Sequence, residues 1–340
     1  MVIRLKHLTL HQKEKLSGNK RINHFQQEAQ TTRATGLRPK CNPVLSVPYF
    51  HFIQTPRKTN IMYTKYMACL LSGLLLTSQA TPCMATTNEP KATECIQQNQ
   101  WKGKKVAFLG DSITDKIHVG TTKNYWQYLA EMLGIEPLVY GINGNQWNGI
   151  LKQVQKLKAD VGDEVDAIII FTGTNDYNAG IPLGEWYTFS YEETTVRGGG
   201  KEVRKKRSAD LNSNTFRGRI NEALSYLKQN FPTQQIILMT PIHRAQARFS
   251  NDNIQPEEAF PNKLGLYVDE YVNAIKEAGN VWAVPVIDLN SICGLYPMFD
   301  AHTQYFHDAT TDRLHPNANG HYRMAKAIMY QLLAYPADFR

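Results

Sequence analysis

Cysteine is scarce, with five in 340 residues, too few for a small disulfide scaffold that stands in for a core. No Cys-x-x-Cys, His-Glu-x-x-His or Cys/His cluster occurs, so a structural zinc site is not expected. No run of 18 or more apolar residues exists, which argues against a multi-span membrane protein. No repeat recurs at a period of 20–50 residues, so a solenoid is not expected either. Excess charge is also confined. The chain carries a formal +8, yet residues 1–61 hold 11 Lys+Arg against 2 Asp+Glu, and the remaining 279 hold 27 against 28. A nucleic-acid partner would need a basic face on the folded part, and the near-neutral balance there predicts none. What is present, 42% hydrophobic and 20% charged residues, is the composition of a globular protein.

Residues 1–61 show no sustained helical or strand period, and Pro39, Pro43, Pro48 and Pro56 break the stretch where apolar residues appear. A short n-region, Met62-Tyr-Thr-Lys-Tyr-Met67, then precedes the apolar run Ala68–Ala80, with Ala80 and Ala85 as cleavage points. That is the layout of a secretory signal peptide over 62–85. The upstream 61 residues read as an over-extended frame with translation starting at Met62 or Met67. A genuine basic extension and an Arg-rich transit peptide are the other readings. An exported mature chain, 86–340, with no stable membrane insertion after cleavage, is the expectation. It retains Cys95 and Cys293, which are candidates to pair in an oxidising compartment.

The mature part alternates short apolar runs with amphipathic stretches. Strands are predicted at Lys105–Leu109, Leu138–Tyr140, Ala167–Phe171, Gln235–Met239 and Ala283–Ile287. Helices are predicted at Asn124–Leu133, Trp147–Leu157, Phe216–Phe231, Asn262–Glu277 (stopped by Gly279) and Asn317–Leu333. Such alternation predicts an α/β fold, a doubly wound parallel sheet of about five strands in a three-layer arrangement. Reactive groups in such sheets gather at the carboxyl ends of the strands.

Four blocks occupy those ends: Gly110-Asp111-Ser112, Gly141-Ile-Asn-Gly144, Gly173-Thr-Asn175-Asp176 and Asp312-Arg-Leu-His315. Acyl transfer from an ester needs a hydroxyl nucleophile, a base, a carboxylate to orient the base, and donors for the oxyanion. Ser112 offers the hydroxyl at a strand-to-loop turn. A tight turn brings Asp312 to His315, three residues on. Gly144 offers an unobstructed backbone N–H, Asn175 an amide N–H, and the Ser112 N–H a third donor. The competing reading of Ser112, a hydroxyl satisfying its own turn, is disfavoured by the other three blocks.

Together these blocks resemble the SGNH (GDSL) hydrolase superfamily, in family order and over about 105–335. The resemblance implies a flavodoxin-like fold, esterase or lipase-type activity, no cofactor and no metal. It implies Ser112 as nucleophile, His315 as base, Asp312 as its partner, and Ser112, Gly144 and Asn175 as the oxyanion hole. Gly141 is the alternative to Gly144 in the second block.

Other polar residues near strand ends have weaker claims. His243, after the fourth strand, is a candidate substrate contact. Asp111 and Asp176 are expected to bond their own loops. Asp115, His118, His302, His307 and Asp308 are expected on solvated loops, and His321 on a helix surface or as a capping partner. The insertion Tyr177–Thr215 departs most from the family pattern. It holds Trp186, Tyr187, Phe189 and Tyr191, then Gly198-Gly-Gly200, then the basic run Lys201–Arg207. A lid or wall beside Ser112 and a segment packed on the domain with a solvated basic tip are both open readings. The partner expected is an ester substrate, namely short acyl groups on carbohydrate, with lipid as the alternative; the oligomeric state is open. A metallophosphoesterase lacks an early Asp-x-His here. A silent carbohydrate-binding module sits poorly with an intact Ser, His and Asp set.

Overall fold

A parallel sheet buried on both faces organises the chain. The computed structural model describes residues 99–340; the expected extension, the signal peptide and Cys95 lie outside them. Lys105–Gly110 (β1), Tyr125–Leu133 (α1), Glu136–Val139 (β2), Trp147–Val161 (α2) and Ala167–Phe171 (β3) form the first half. Val106, Phe108, Ala167, Ile169 and Phe171 enter one apolar cluster, and Ala107, Leu109, Ile168 and Ile170 enter another. Because strand side chains alternate between faces, an unbroken apolar run is what a sheet covered on both sides demands.

Thr174–Ala179 (α3) leads into an antiparallel pair, Tyr187–Thr195 (β4) and Lys201–Ala209 (β5). Phe216–Asn230 (α4) and Gln235–Met239 (β6) resume the sheet. Two short strands follow, Ala247–Arg248 (β7) and Ile254–Gln255 (β8), then Val268–Trp282 (α5), Val286–Ile287 (β9) and Leu289–Ile292 (α6). Phe306–Asp308 (β10), Asp312–Pro316 (β11) and Ala318–Leu332 (α7) complete the chain. The main sheet has the order β2-β1-β3-β6-β9, all parallel. Residues of α1 and α7 join the first cluster, and residues of α2, α4 and α5 the second. This is the three-layer, flavodoxin-like order, with its switch point between β1 and β3, where a crevice opens at the carboxyl ends. Among the described residues, no helix is long and apolar enough to cross a membrane.

Several predicted elements differ from those observed: β2 spans Glu136–Val139, and α5 begins at Val268 rather than Asn262. The fifth strand shrinks to β9, and α5 runs past Gly279 to Trp282. Gly279 does not stop the helix; a Cβ there would lie 2.7 Å from Val286 Cγ2, so glycine is what lets α5 close on β9. The insertion is mostly a hairpin, β4–β5, with Phe189 and Tyr191 exposed.

Candidate active site

Gly110 ends β1 where a side chain would collide with the Phe171 carbonyl. Gln153 of α2 pins this end, donating to the Gly110 carbonyl (2.8 Å) and accepting from its N–H (2.9 Å). The chain then coils through one turn, with the Asp111 carbonyl accepting from Thr114 and Asp115 N–H groups at 3.1 and 3.0 Å. Ser112 therefore stands at the mouth of the crevice, 5% exposed.

Ser112 Oγ lies 2.9 Å from His315 Nε2, and His315 Nδ1 lies 2.9 Å from Asp312 Oδ2. The Asp312–His315 stretch, expected as a turn, belongs to strand β11, paired antiparallel with β10 across a register shift and with β7. The local geometry is still tight. Asp312 Oδ1 folds forward to accept the N–H groups of Leu314 (3.1 Å) and His315 (3.0 Å), which orients the carboxylate before any ring contact. Burial alone would raise the Asp312 pKa, but hydrogen bonds from His315, with a further one from His307, outweigh it and hold the carboxyl below the usual range. Phe249 stands over the His315 ring, centroids 5.4 Å apart.

On the opposite wall, Gly144 has φ +77°, and nothing lies within 4 Å of where its Cβ would be. Gly141 packs against Thr114 instead, so Gly144 alone of the two opens onto the crevice. Asn175 Nδ2 donates to the Asn145 carbonyl at 2.8 Å, which joins the second and third loops. Ser112, Asn143, Gly144, Asn175, Phe249 and His315, with Asn253 and Gln255, border a cavity of about 280 Å³.

The other polar residues sort by what they hold. Asp115, expected in solvent, is buried; its Oδ2 accepts from Asn143 N–H at 2.6 Å and its Oδ1 from Ile117 N–H at 3.1 Å. Asp176 accepts from Arg219 (2.8 Å) and from Trp147 N–H (3.0 Å), so it anchors the start of α2; burial pushes its pKa to about 6. Asp111 accepts from Ile113 N–H, as expected of a loop aspartate, and burial raises it to about 7. His243 is paired with Glu258 at 2.6 Å and packs on Tyr296; it is not among the residues bordering the cavity around Ser112. His307 is half-exposed yet contacts Asp312. His118 is paired with Gln127, His302 accepts from Tyr296 N–H, and Asp308 closes an exposed turn with Thr310 and Thr311. His321 is fully buried rather than on a surface, and it does cap: Nδ1 accepts from Tyr125 N–H, the first of α1. Cys293 is a buried free thiol. Among the described residues, no group of three or more His, Cys, Asp or Glu converges to hold a metal ion.

Sequence reasoning missed Gln153, Phe249 and Arg244. Arg244 is fully buried, bonding Thr174 Oγ1 (3.0 Å) and Gln255 Oε1 (2.8 Å), and so ties the third loop to β8. None of the three sits in a block with recognisable spacing.

A flavodoxin-like sheet bearing a hydroxyl–imidazole–carboxylate chain at its switch point defines a hydrolase of the SGNH type. The chain belongs to the GDSL-like lipase/acylhydrolase family, whose model matches residues 108–323, and it is an ester hydrolase of that family. It is similar to a solved protein of Lactobacillus plantarum, at 25% identity and a TM-score of 0.53, over 69% of this chain and 98% of that one. It is likewise similar to a possible lipase from Chitinophaga pinensis, at 22% identity and a TM-score of 0.50, over 68% and 98%. An acetyl xylan esterase aligns at 21% identity and a TM-score of 0.42, over 67% and 99%. No curated protein matches the chain.

Proposed function

We propose that this esterase removes short acyl groups, acetyl foremost, from carbohydrate, through an acyl-enzyme on Ser112. The observation that carries the reading is the Ser112–His315–Asp312 chain of 2.9 Å contacts opening into a cavity of about 280 Å³ rimmed by Asn143, Asn175, Asn253 and Gln255. A polar, amide-lined rim suits a hydroxyl-rich substrate, and the volume accommodates a small acyl group rather than a long chain.

His315 Nε2 takes the Ser112 proton as Oγ attacks the ester carbonyl, and Asp312 stabilises the resulting imidazolium through Nδ1–H. The N–H groups of Ser112 and Gly144 and the free amide proton of Asn175 receive the oxyanion. Collapse expels the sugar alcohol, which takes the proton from His315. Water, deprotonated by the same imidazole, then releases the acid and restores Ser112.

A lipase-type reading has one observation in its favour: Phe249, on the loop between β7 and β8, and Ile254, at the start of β8, are exposed apolar groups. Turnover of p-nitrophenyl esters from acetyl to palmitoyl, and of acetylated xylan, separates the two, using the full-length chain beside Ser112→Ala. The carbohydrate reading expects acetyl to be fastest and Ser112→Ala to lose about a thousandfold or more. Palmitoyl being fastest overturns it in favour of the lipase, and equal rates for both proteins remove Ser112 from the chemistry. The reading also includes export, supported by the apolar run Ala68–Ala80. A native N-terminus upstream of Met62 would sink that part.

A further inference from the structure

Among the described residues, the β4–β5 arm pairs only with itself, and every residue from Thr188 to Ser208 except Val196 is exposed. A two-stranded hairpin standing alone in water is marginal, so what its edges offer is informative.

The hydrogen-bond ladder decides which backbone groups point outward. Asp210 N–H bonds the Trp186 carbonyl at the root (3.1 Å), and Val196 N–H bonds the Gly200 carbonyl at the tip (2.8 Å). The register runs without a bulge from Tyr187↔Ala209 to Thr195↔Lys201. In an antiparallel pair, hydrogen-bonded and non-bonded positions alternate. The even-numbered residues of β4 therefore bond β5. Tyr187, Phe189, Tyr191, Glu193 and Thr195 direct their N–H and C=O groups to the open edge.

The two edges differ in kind. β5 carries Lys201, Arg204, Lys205, Lys206 and Arg207, the charge that blunts an edge against pairing. β4 carries no Lys, Arg, Pro or Gly. Its two acids are already engaged within the arm, Glu192 with Lys206 and Glu193 with Lys201, both at 2.7 Å. The uncharged stretch Tyr187-Thr-Phe-Ser-Tyr191 reads almost identically in both directions. A two-fold axis through Phe189 sets Tyr opposite Tyr, Phe opposite Phe and Thr opposite Ser, and lets the outward groups of residues 187, 189 and 191 bond reciprocally. Self-complementarity of this kind is what an isologous contact requires.

We propose that the open edge of β4, over Tyr187–Tyr191, pairs antiparallel with the same edge of a second copy of this chain, joining two arms into a four-stranded sheet. Charge favours the same arrangement. Residues 187–209 hold six Lys+Arg against three Glu, whereas the rest of 99–340 holds 19 Lys+Arg against 23 Asp+Glu. Antiparallel pairing carries each cationic tip past the root of the other arm, toward an acid-rich body. The contact is independent of the catalytic reading.

The test is the solution mass of the full-length chain by light scattering across micromolar concentrations, beside two proline variants. Phe189→Pro deletes a donor aimed at the second copy and leaves the β4–β5 bonds intact. Val203→Pro does the same to the outer edge of β5, since Val203 faces Glu193 at a non-bonded position. The wild type and Val203→Pro are expected to be dimers, and Phe189→Pro to associate about a hundredfold or more weakly. Phe189→Glu keeps every backbone bond and faces Arg207 within its own arm, but sets like charges face to face across the two-fold axis, and it should dissociate the dimer too. An unchanged thermal midpoint for the body shows that the variants are folded. A wild type that stays a single chain overturns the proposal, as does a dimer that survives both Phe189 variants or is lost equally in Val203→Pro.

Discussion

His307 reaches Asp312 through Nδ1 at 3.0 Å, on the same oxygen, Oδ2, that His315 holds at 2.9 Å. The two imidazoles are not equivalent: His315 is buried against Ser112, whereas the His307 side chain is 55% exposed.

That difference sets unequal costs for removing the partners. Asp312→Asn leaves His315 without its carboxylate and should lower kcat/KM by about 10⁴. His307→Ala gives up one half-exposed hydrogen bond, on the order of 1 kcal/mol, and should lower it less than about tenfold. Steady-state kinetics on a short p-nitrophenyl ester checks both. A His307→Ala loss as deep as that of Asp312→Asn would make His307 the working imidazole.

Asp115 acts on the oxyanion side without bordering the cavity. It holds Asn143 N–H, one residue before Gly144. Asp115→Ala should displace that loop and reduce kcat by about 10–100-fold with KM little changed, since small misplacements of a reacting geometry are costly. A rise in KM alone would show that the loop binds substrate and takes no part in the transition state.

Asp111 ties stability to pH. Its folded pKa, about 7, stands above its ordinary value of 3.8 because burial disfavours the charged form. The folded state therefore keeps a proton that the unfolded chain releases, and stability falls as pH rises from about 4 to about 7. Asp111→Asn keeps an oxygen for Ile113 N–H and lacks this titration. Urea midpoints at pH 4.5 and 7.5 should show the variant gaining on the wild type by a few kcal/mol, on the order of the shift. Parallel pH profiles for the two would refute it.

His321 works in the opposite sense. Burial, with the charges of His315 and His118, depresses it to about 3, so it is neutral in the folded protein. The unfolded chain takes up a proton below its ordinary value of 6.5, and the contribution present above that pH is lost as pH falls toward 3. His321→Gln, which still offers an acceptor to Tyr125 N–H, should resist acid better relative to its own stability at pH 7. Acid unfolding followed by circular dichroism would reveal it, and an unchanged midpoint would count against it.

The catalytic blocks and the sheet were legible in the sequence because both rest on short-range rules. A strand covered on both faces must be apolar at every position, and Ala167–Phe171 is. Ser112 and Gly144 each follow a strand end, and Asp312 and His315 sit three residues apart, close enough for one carboxylate to bond both the backbone and the ring. The hairpin also leaves a local trace: Tyr187, Phe189 and Tyr191 alternate, and a glycine-rich turn follows.

Long-range partnerships were not legible. Nothing near Asp115 in the chain marks Asn143 as its partner 28 residues away, or marks Gln153 as the clamp on Gly110 from a helix 43 residues on. Phe249 reaches the His315 ring, and Arg244 links Thr174 to Gln255, only because the β7–β8 excursion folds back over the crevice. Gly279 looks like a helix stop until Val286 is placed against it. The central strands of the main sheet, the order of the reactive blocks and the three-residue spacing of Asp312 and His315 follow from the amino-acid order alone, since these depend on neighbours within a few residues. Which polar groups are buried together, and with that which carboxylates hold their proton to higher pH, is settled only on folding, because desolvation and hydrogen-bond partners come from segments far apart in the chain.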